Sequence, residues 1–296
     1  MKPAPFQYHR PESVDATVRL LEEHDDAELM AGNQSLGIMM ANRLATPDHL
    51  IDLNRVDELA SISVDDDTVT IGAMTRHRDI ERSTALADAL PVFPEAAGAI
   101  AGPAVRNRGT LGGSLGEADP AGNYPTVSVA LDATLHLVSA DGRRPVPAGE
   151  FFLGYLYTAL EPGELIERVT VDRGPFPRSR TGMAFEELKP AAQTWPTVSA
   201  AAAVRVDDPA AADPTVEAAR LALANVADVP LRVPEAESAV VGGALDDAAL
   251  DAVGRAVETA ADPDDELHAD AATKTEAAAE YARRALRAAY DRAVGA

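Results

Sequence analysis

Apolar and polar positions alternate with a changing period along the 296-residue chain, and the changes mark its elements. Val14, Val18 and Leu21 recur at helical spacing, so Ser13–His24 predicts an amphipathic helix with Ser13 as its N-cap. Glu28–Ala31 reads as a strand, Leu36–Leu44 as a short helix opening at Ser35, and His49–Leu53 as a further strand. Leu59–Val64 and Thr68–Ala73 flank Asp65-Asp66-Asp67 and predict a hairpin. Thr75 is placed to cap a short helix through Ile80, and Ala85–Ala99 reads as one continuous helix. Tyr124–Leu131 is apolar throughout and predicts a buried helix, with strands at Thr134–Val138 and Glu164–Val171.

The proline-rich, basic stretch Arg173–Arg180 is the best boundary in the chain. Beyond it, strands are predicted near Gly182–Leu188, Thr197–Val206 and Val216–Leu223. Alanine-rich helices follow at Pro234–Val241, Leu245–Ala260 and Ala271–Val294. A chain of this length holds about two domains. The expected division is 1–175, itself two lobes at 1–56 and 57–175, followed by an α+β domain at 180–294.

Two glycine-bearing segments stand at the ends of predicted elements. In Leu29-Met30-Ala31-Gly32-Asn33-Gln34-Ser35-Leu36 a glycine supplies turn freedom and three polar side chains supply donors and acceptors. In Gly109-Thr110-Leu111-Gly112-Gly113-Ser114 the composition predicts a tight turn whose successive amides form an anion-binding nest. The positive end of the Tyr124–Leu131 helix is placed to face the same site. Two such junctions suit a ligand with two phosphates held between two lobes. Neither segment matches GxGxxG or GxxxxGK[ST], so neither a Rossmann fingerprint nor a P-loop is present.

Three blocks carry a family resemblance in order and spacing: AGNQSLGIMMANRLATPDHLIDLNRV from Ala31, TVTIGAMTRHRDIERS from Thr68, and AGPAVRNRGTLGGSLGEADPAGNYPTVSVALDA from Ala101. Together they resemble the FAD-binding subunit of the molybdenum hydroxylases, the family of the aerobic carbon monoxide dehydrogenase medium subunit and the xanthine dehydrogenase flavin domain. The resemblance is strong over 1–175 and looser beyond 180, through AFEELKPAAQTWPTVSAAAAV. It implies an α/β two-lobed FAD module of the vanillyl-alcohol-oxidase type, followed by a smaller α+β domain like that of the carbon monoxide dehydrogenase flavoprotein. It also implies that Leu29–Leu36 and Thr110–Ser114 wrap the FAD pyrophosphate and ribityl chain, with Asp119, Asn123, Leu165 and Lys189 as further cofactor positions. Asn123 stands where the family usually has aspartate, Glu117 where many relatives have histidine, and Glu187 near a usual lysine; Lys189 is a candidate substitute.

The implied function is electron transfer. A large molybdopterin subunit oxidises the substrate, a small iron–sulfur subunit relays electrons, and FAD on this chain passes them to NAD, a quinone or another acceptor. No residue of the chain need act as a catalytic acid or base. Two alternatives stand beside it: a flavin-free scaffold subunit, motivated by Asn123, Glu117 and Glu187, and a stand-alone flavin oxidoreductase, opposed by the short alanine-rich C-terminal part.

Composition narrows the setting. The chain has no cysteine, which removes disulfides, thiolate catalysis and iron–sulfur ligation by its own residues. The six histidines show no HxxxH spacing, so no metal site is expected. With 48 acidic against 26 basic residues the net charge is −22, and all but Lys2, Lys189 and Lys274 of the basic residues are arginine. Such a surface repels nucleic acid and fits a protein living in high salt. No apolar run is long enough to span a membrane and MKPAPFQYHRPES has no secretory-signal core, so the cytoplasm is the expected compartment. Three single residues carry bland readings. His77 reads as a surface or capping residue, Asp119 as the N-cap before Pro120, and Trp195 as a core or interface side chain unless it lies near the flavin ring. Of Arg106 and Arg108, at least one is expected to pin its loop or face a partner rather than meet phosphate.

Overall fold

The computed structural model describes residues 2–295; Met1, where the first expected domain begins, lies outside them. The first sheet is built from β1 (Gln7–His9), β2 (Ala27–Met30) and β3 (His49–Asp52), parallel and ordered β1-β3-β2. Helices α1 (Val14–Glu23) and α2 (Leu36–Ala41) fill its crossovers. Ser13 caps α1 as predicted, its hydroxyl accepting from Ala16 N at 3.1 Å. Ser35 does not cap α2: it is already helical and its side chain takes no amide of that turn. Helix α2 ends at Ala41, short of Leu44, because Arg43 turns into the left-handed region at φ 61°.

The second sheet has five strands, β4 (Ile62–Val64), β5 (Thr68–Gly72), β6 (Thr134–Ser139), β7 (Gly142–Pro147) and, after a small ribbon, β10 (Leu165–Asp172). They are antiparallel in the order β4-β5-β10-β6-β7. Between β5 and β6 lie α3 (His77–Glu81), α4 (Thr84–Ala89), α5 (Val92–Ala99), α6 (Pro103–Arg106), α7 (Leu111–Glu117) and α8 (Asn123–Ala130). Several expectations are corrected here. The chain before β4 turns through Asp57–Leu59, so the hairpin's first strand begins at Ile62. Thr75 caps nothing; its hydroxyl donates to Ser61 O at 3.1 Å and α3 opens after Arg76. The continuous helix of Ala85–Ala99 is two, broken at Leu90-Pro91, because proline has no N–H to give and clashes with a preceding turn. The pattern missed β7, where two arginines and two prolines mask an edge strand, and α9 (Ala148–Phe151) and the ribbon of β8 (Phe152–Gly154) and β9 (Tyr157–Thr158), which are too short to show a period.

The third sheet, β11 (Thr181–Leu188), β12 (Val198–Val206), β13 (Val216–Ala224) and β14 (Leu231–Arg232), is antiparallel in chain order. Helices α10 (Pro234–Val240), α11 (Asp247–Ala260) and α12 (Ala271–Ala293) cover one face. The other face presents Met183, Ala201, Ala203 and Ala222 to the core of the second sheet, alongside Phe93, Val127 and Phe176. Covered on both faces, β12 carries alanine where a half-buried strand would alternate. Small residues also set the approach of α12: a Cβ on Gly182 would stand 2.0 Å from Ala289 O. Helix α8 is buried over its whole length, wedged between the second and third sheets.

Candidate functional site

The two glycine-bearing segments meet backbone to backbone. A Cβ on Gly32 would lie 2.5 Å from Arg108 O and 2.6 Å from the Gly109 Cα, so glycine is required there by contact. Gly109 is pinned in turn against His77, whose Nε2 a Cβ would meet at 2.3 Å. The junction joins the first sheet to the second.

The second segment is not the turn that its composition suggests. Thr110 is the N-cap of α7 and its hydroxyl accepts from Gly113 N at 3.1 Å; Gly112, Gly113 and Ser114 form the first turn of that helix. Its amides are spent internally: Leu111 N donates to Thr75 O at 3.0 Å, Gly112 N to Ala73 O at 2.7 Å, and Ser114 N to Thr110 O at 3.1 Å. The nest reading of this segment is therefore corrected. Gly112 serves packing, since a Cβ there would stand 2.6 Å from the Ala73 Cβ.

The first segment carries the open donors. Asn33 takes a left-handed conformation at φ 60°, and Gln34 Nε2 donates to Gly32 O at 2.8 Å. Among the described residues, none of the amides from Gly32 through Leu36 donates to a protein acceptor. A run of unpaired N–H groups through a left-handed residue is the geometry that takes up a phosphate. Leu29 and Ala31 pack below it on the cluster that holds Leu165, a core side chain at 2% exposure, and Met30 pairs with Asp52 across the sheet.

A polar chain braces the junction. Asp52 accepts from the Tyr8 hydroxyl and from Asn54 N at 2.9 Å. Burial pushes the Asp52 carboxyl up, but these hydrogen bonds and Arg10 override it and hold it below its usual range. Asn54 reaches Ala31 O at 3.1 Å and accepts from Arg76, which also donates to Arg108 O. Burial and the neighbouring Arg108 lower the Arg76 pKa, so two guanidinium groups stand close together in a chain of net charge −22. Arg108 is exposed and makes no side-chain hydrogen bond or ion pair among the described residues. Arg106 pins its loop, bonding Glu81 at 2.9 Å and the carbonyls of Ile100 and Ala101. Sequence reasoning did not single out Asp52, Asn54 or Arg76, because the partners that give them meaning come from three separate elements.

The remaining positions divide. Glu117 is brought to Ser35, and burial raises its pKa against that hydrogen bond. Asp119 caps no helix: its carboxylate accepts from Ala121 N at 2.8 Å in a turn, and the next helix opens after Gly122. Asn123 is buried and donates to Ala96 O at 2.9 Å. Lys189 is engaged, donating to Ala99 O and pairing with Glu187 at 2.9 Å. Burial raises the Glu187 pKa, which Lys189 partly offsets. His77 is buried rather than superficial, and burial first, then Arg76 and Arg106, hold its pKa down to about 4. Trp195 is 55% exposed and is no core residue.

A two-lobed α/β module with an anion-receptive junction, followed by a small α+β unit, defines a nucleotide-cofactor protein. Residues 4–173 match the family described as the FAD binding domain in molybdopterin dehydrogenase, and residues 183–289 match the CO dehydrogenase flavoprotein C-terminal domain. The chain belongs to this family of FAD-binding subunits. It is 40% identical over 293 residues to the carbon monoxide dehydrogenase medium chain of Hydrogenophaga pseudoflava, covering 99% of both chains. It is 35% identical to the 6-hydroxypseudooxynicotine dehydrogenase complex subunit alpha of Paenarthrobacter nicotinovorans, covering 99% of this chain and 97% of that one. A solved structure of carbon monoxide dehydrogenase from Hydrogenophaga pseudoflava superposes with a TM-score of 0.92 at 41% identity, covering 99% of each chain.

Proposed function

We propose that this chain holds FAD across the junction of its first two sheets and serves as the electron-transfer subunit of a molybdenum-dependent oxidoreductase. The observation that carries the reading is the run of unpaired amides from Gly32 to Leu36, set beside Arg76 and the free Arg108. These groups fit a pyrophosphate, and Ser35, Thr110 and Ser114 supply hydroxyls around it. Bound FAD would supply the redox step, and the protein supplies position and electrostatics. The partners are a large molybdopterin subunit and a small iron–sulfur subunit; this chain has no cysteine with which to hold a cluster. The external acceptor is NAD, a quinone or another small molecule. Relatives named for carbon monoxide and for a nicotine derivative are similarly close, which supports placing substrate choice on the molybdopterin subunit.

Leu29–Leu36 and Thr110–Ser114, with Asp119, Asn123, Leu165 and Lys189, are the cofactor positions of this reading. Within it, Lys189 and Leu165 shape the walls, since both side chains are already engaged by protein. The division at 175–180 is supported by where the two family matches end and begin. The setting is the cytoplasm of a cell with high internal salt, supported by the net charge of −22 and the near absence of lysine.

The test is the visible spectrum of the chain purified in molar KCl, before and after adding FAD. Stoichiometric flavin uptake in the wild type, lost in Gly32→Val with the fold retained by circular dichroism, is the expected result. A folded wild-type chain that takes up no flavin, alone or with its partners, returns the scaffold reading.

A further inference from the structure

Three of the chain's six histidines converge at the corner of the first sheet, at the start of β2 and β3, whereas the turn with the open amides leaves the end of β2. The register explains two of them. Gln7 pairs with His49 and His9 with Ile51, and residues two apart on a strand share a face, so His9 and His49 project to the same side. The third, His24, ends α1 just before β2 begins.

The rings are close. His24 and His49 stack with centroids 3.7 Å apart; His9 lies 5.2 Å from His49 and 5.0 Å from His24. His9 Nε2 stands 2.9 Å from His49 Nδ1, and one ring nitrogen from each of the three lies within 4.8 Å of the others. The His9–His49 contact uses one nitrogen of each ring, and the His24 ring has no hydrogen-bond partner among the described residues. Burial first, then the neighbouring His24 and His49 imidazoles, lower the His9 pKa. All three side chains are half-buried, so they can rotate but are not free in solvent.

We propose that His9, His24 and His49 form a site for a divalent transition cation that prefers nitrogen ligands, such as zinc, with solvent completing the shell. Imidazole suits zinc, copper, nickel and cobalt, while magnesium and calcium take oxygen. Bonds of about 2.0–2.1 Å in a tetrahedron set ligand atoms ~3.3 Å apart, so the widest pair must close by about 1–1.5 Å, within the reach of side-chain rotation. The surplus negative charge draws cations to the surface, and Glu23 places a carboxylate close enough to act on His9. The cation ties β1, an edge strand of three residues, and the end of α1 onto β3.

The test uses the full chain, free of any histidine tag and stripped with a chelator, in molar KCl with excess Mg2+ to occupy surface carboxylates. Zn2+ is titrated by calorimetry and Co2+ by visible absorption. One ion per chain is expected, with nitrogen-ligated Co2+ bands and a melting temperature that rises to a plateau with Zn2+. His24→Gln and His49→Gln should each weaken binding about 100-fold or more, while the exposed His268→Gln changes nothing. Binding that persists in His24→Gln, or wild-type binding no tighter than that variant's, overturns the site. Should a variant fail to fold, imidazole nitrogen shifts on adding Zn2+ to the wild type decide it: movement of all three rings supports the site, and their silence refutes it.

Discussion

At the scale of single residues, His77 shows how burial reverses a bland reading. The sequence places it early in a short helix after Arg76, where surface exposure is the ordinary outcome. Instead Gly109 lets the neighbouring backbone press onto the ring, leaving Nδ1 buried without a partner and the ring 5.2 Å from Tyr124. With the folded pKa at about 4 against an unfolded 6.5, the unfolded chain binds the extra proton between those values. The sign is therefore a stability that is whole above pH 6.5 and lost as the pH falls toward 4, by about 3 kcal/mol in all. His77→Leu should flatten that limb: denaturant titrations at pH 7 and pH 4.5 should differ less in the variant than in the wild type. An unchanged pH slope would mean that His77 takes up its proton in the folded state. The same scale explains what the sequence could and could not say of Asn123, Glu187 and Lys189. Their departure from the family pattern is visible in the string, but that Lys189 is held by Glu187 and Ala99 O is a fact of a strand and a helix far apart in the chain.

At the scale of elements, period was a good guide where one face meets water and a poor one where backbone contacts decide. Helix α1 and the long strands β12 and β13 were legible, since cap residue, spacing and apolar runs agree. Helix α7 was not: Gly112, Gly113 and Gly116 carry the composition of a loop, yet their backbone is helical under the Thr110 cap, and Ala73 at Gly112 and Thr110 at Gly113 leave no room for a Cβ. Intrinsic propensity was overridden by packing, as happens where two backbones must approach closely. The helix then depends on its cap. Thr110→Ala should cost about 1 kcal/mol of stability, and Thr110→Ser, which keeps the hydroxyl, only a few tenths. Equilibrium unfolding of the three proteins at constant KCl measures the difference. Equal losses for both substitutions would assign the effect to the lost Thr methyl rather than to the hydrogen bond to Gly113 N.

For the whole molecule, the question is what holds the C-terminal unit to the FAD module. Two kinds of contact cross that boundary. One is ionic: Asp132 receives Arg220 at 2.8 Å and Arg232, and Glu95 meets Arg292 at 2.7 Å. The other is apolar, the seam of Met183, Ala201, Ala203 and Ala222 against Phe93, Val127 and Phe176. The magnitudes differ in a way salt can read. Exposed pairs are worth about 0–1 kcal/mol each and fade further at 1 M ionic strength, where the Debye length is about 3 Å. Burial at about 25 cal/mol per Å2 of apolar surface is not screened, and excluded salts strengthen it. The apolar seam therefore carries the coupling at low and high salt alike. Calorimetric unfolding should show one transition at 0.2 M and at 2 M KCl, with the melting temperature higher at 2 M as self-repulsion is screened. A transition that splits in two at high salt would show that the ion pairs hold the units together. Replacing Ala203 by Leu overfills the seam and should lower the single transition by about 1–3 kcal/mol, whereas Asp132→Asn, which removes two ion pairs at once, should barely move it at 2 M KCl.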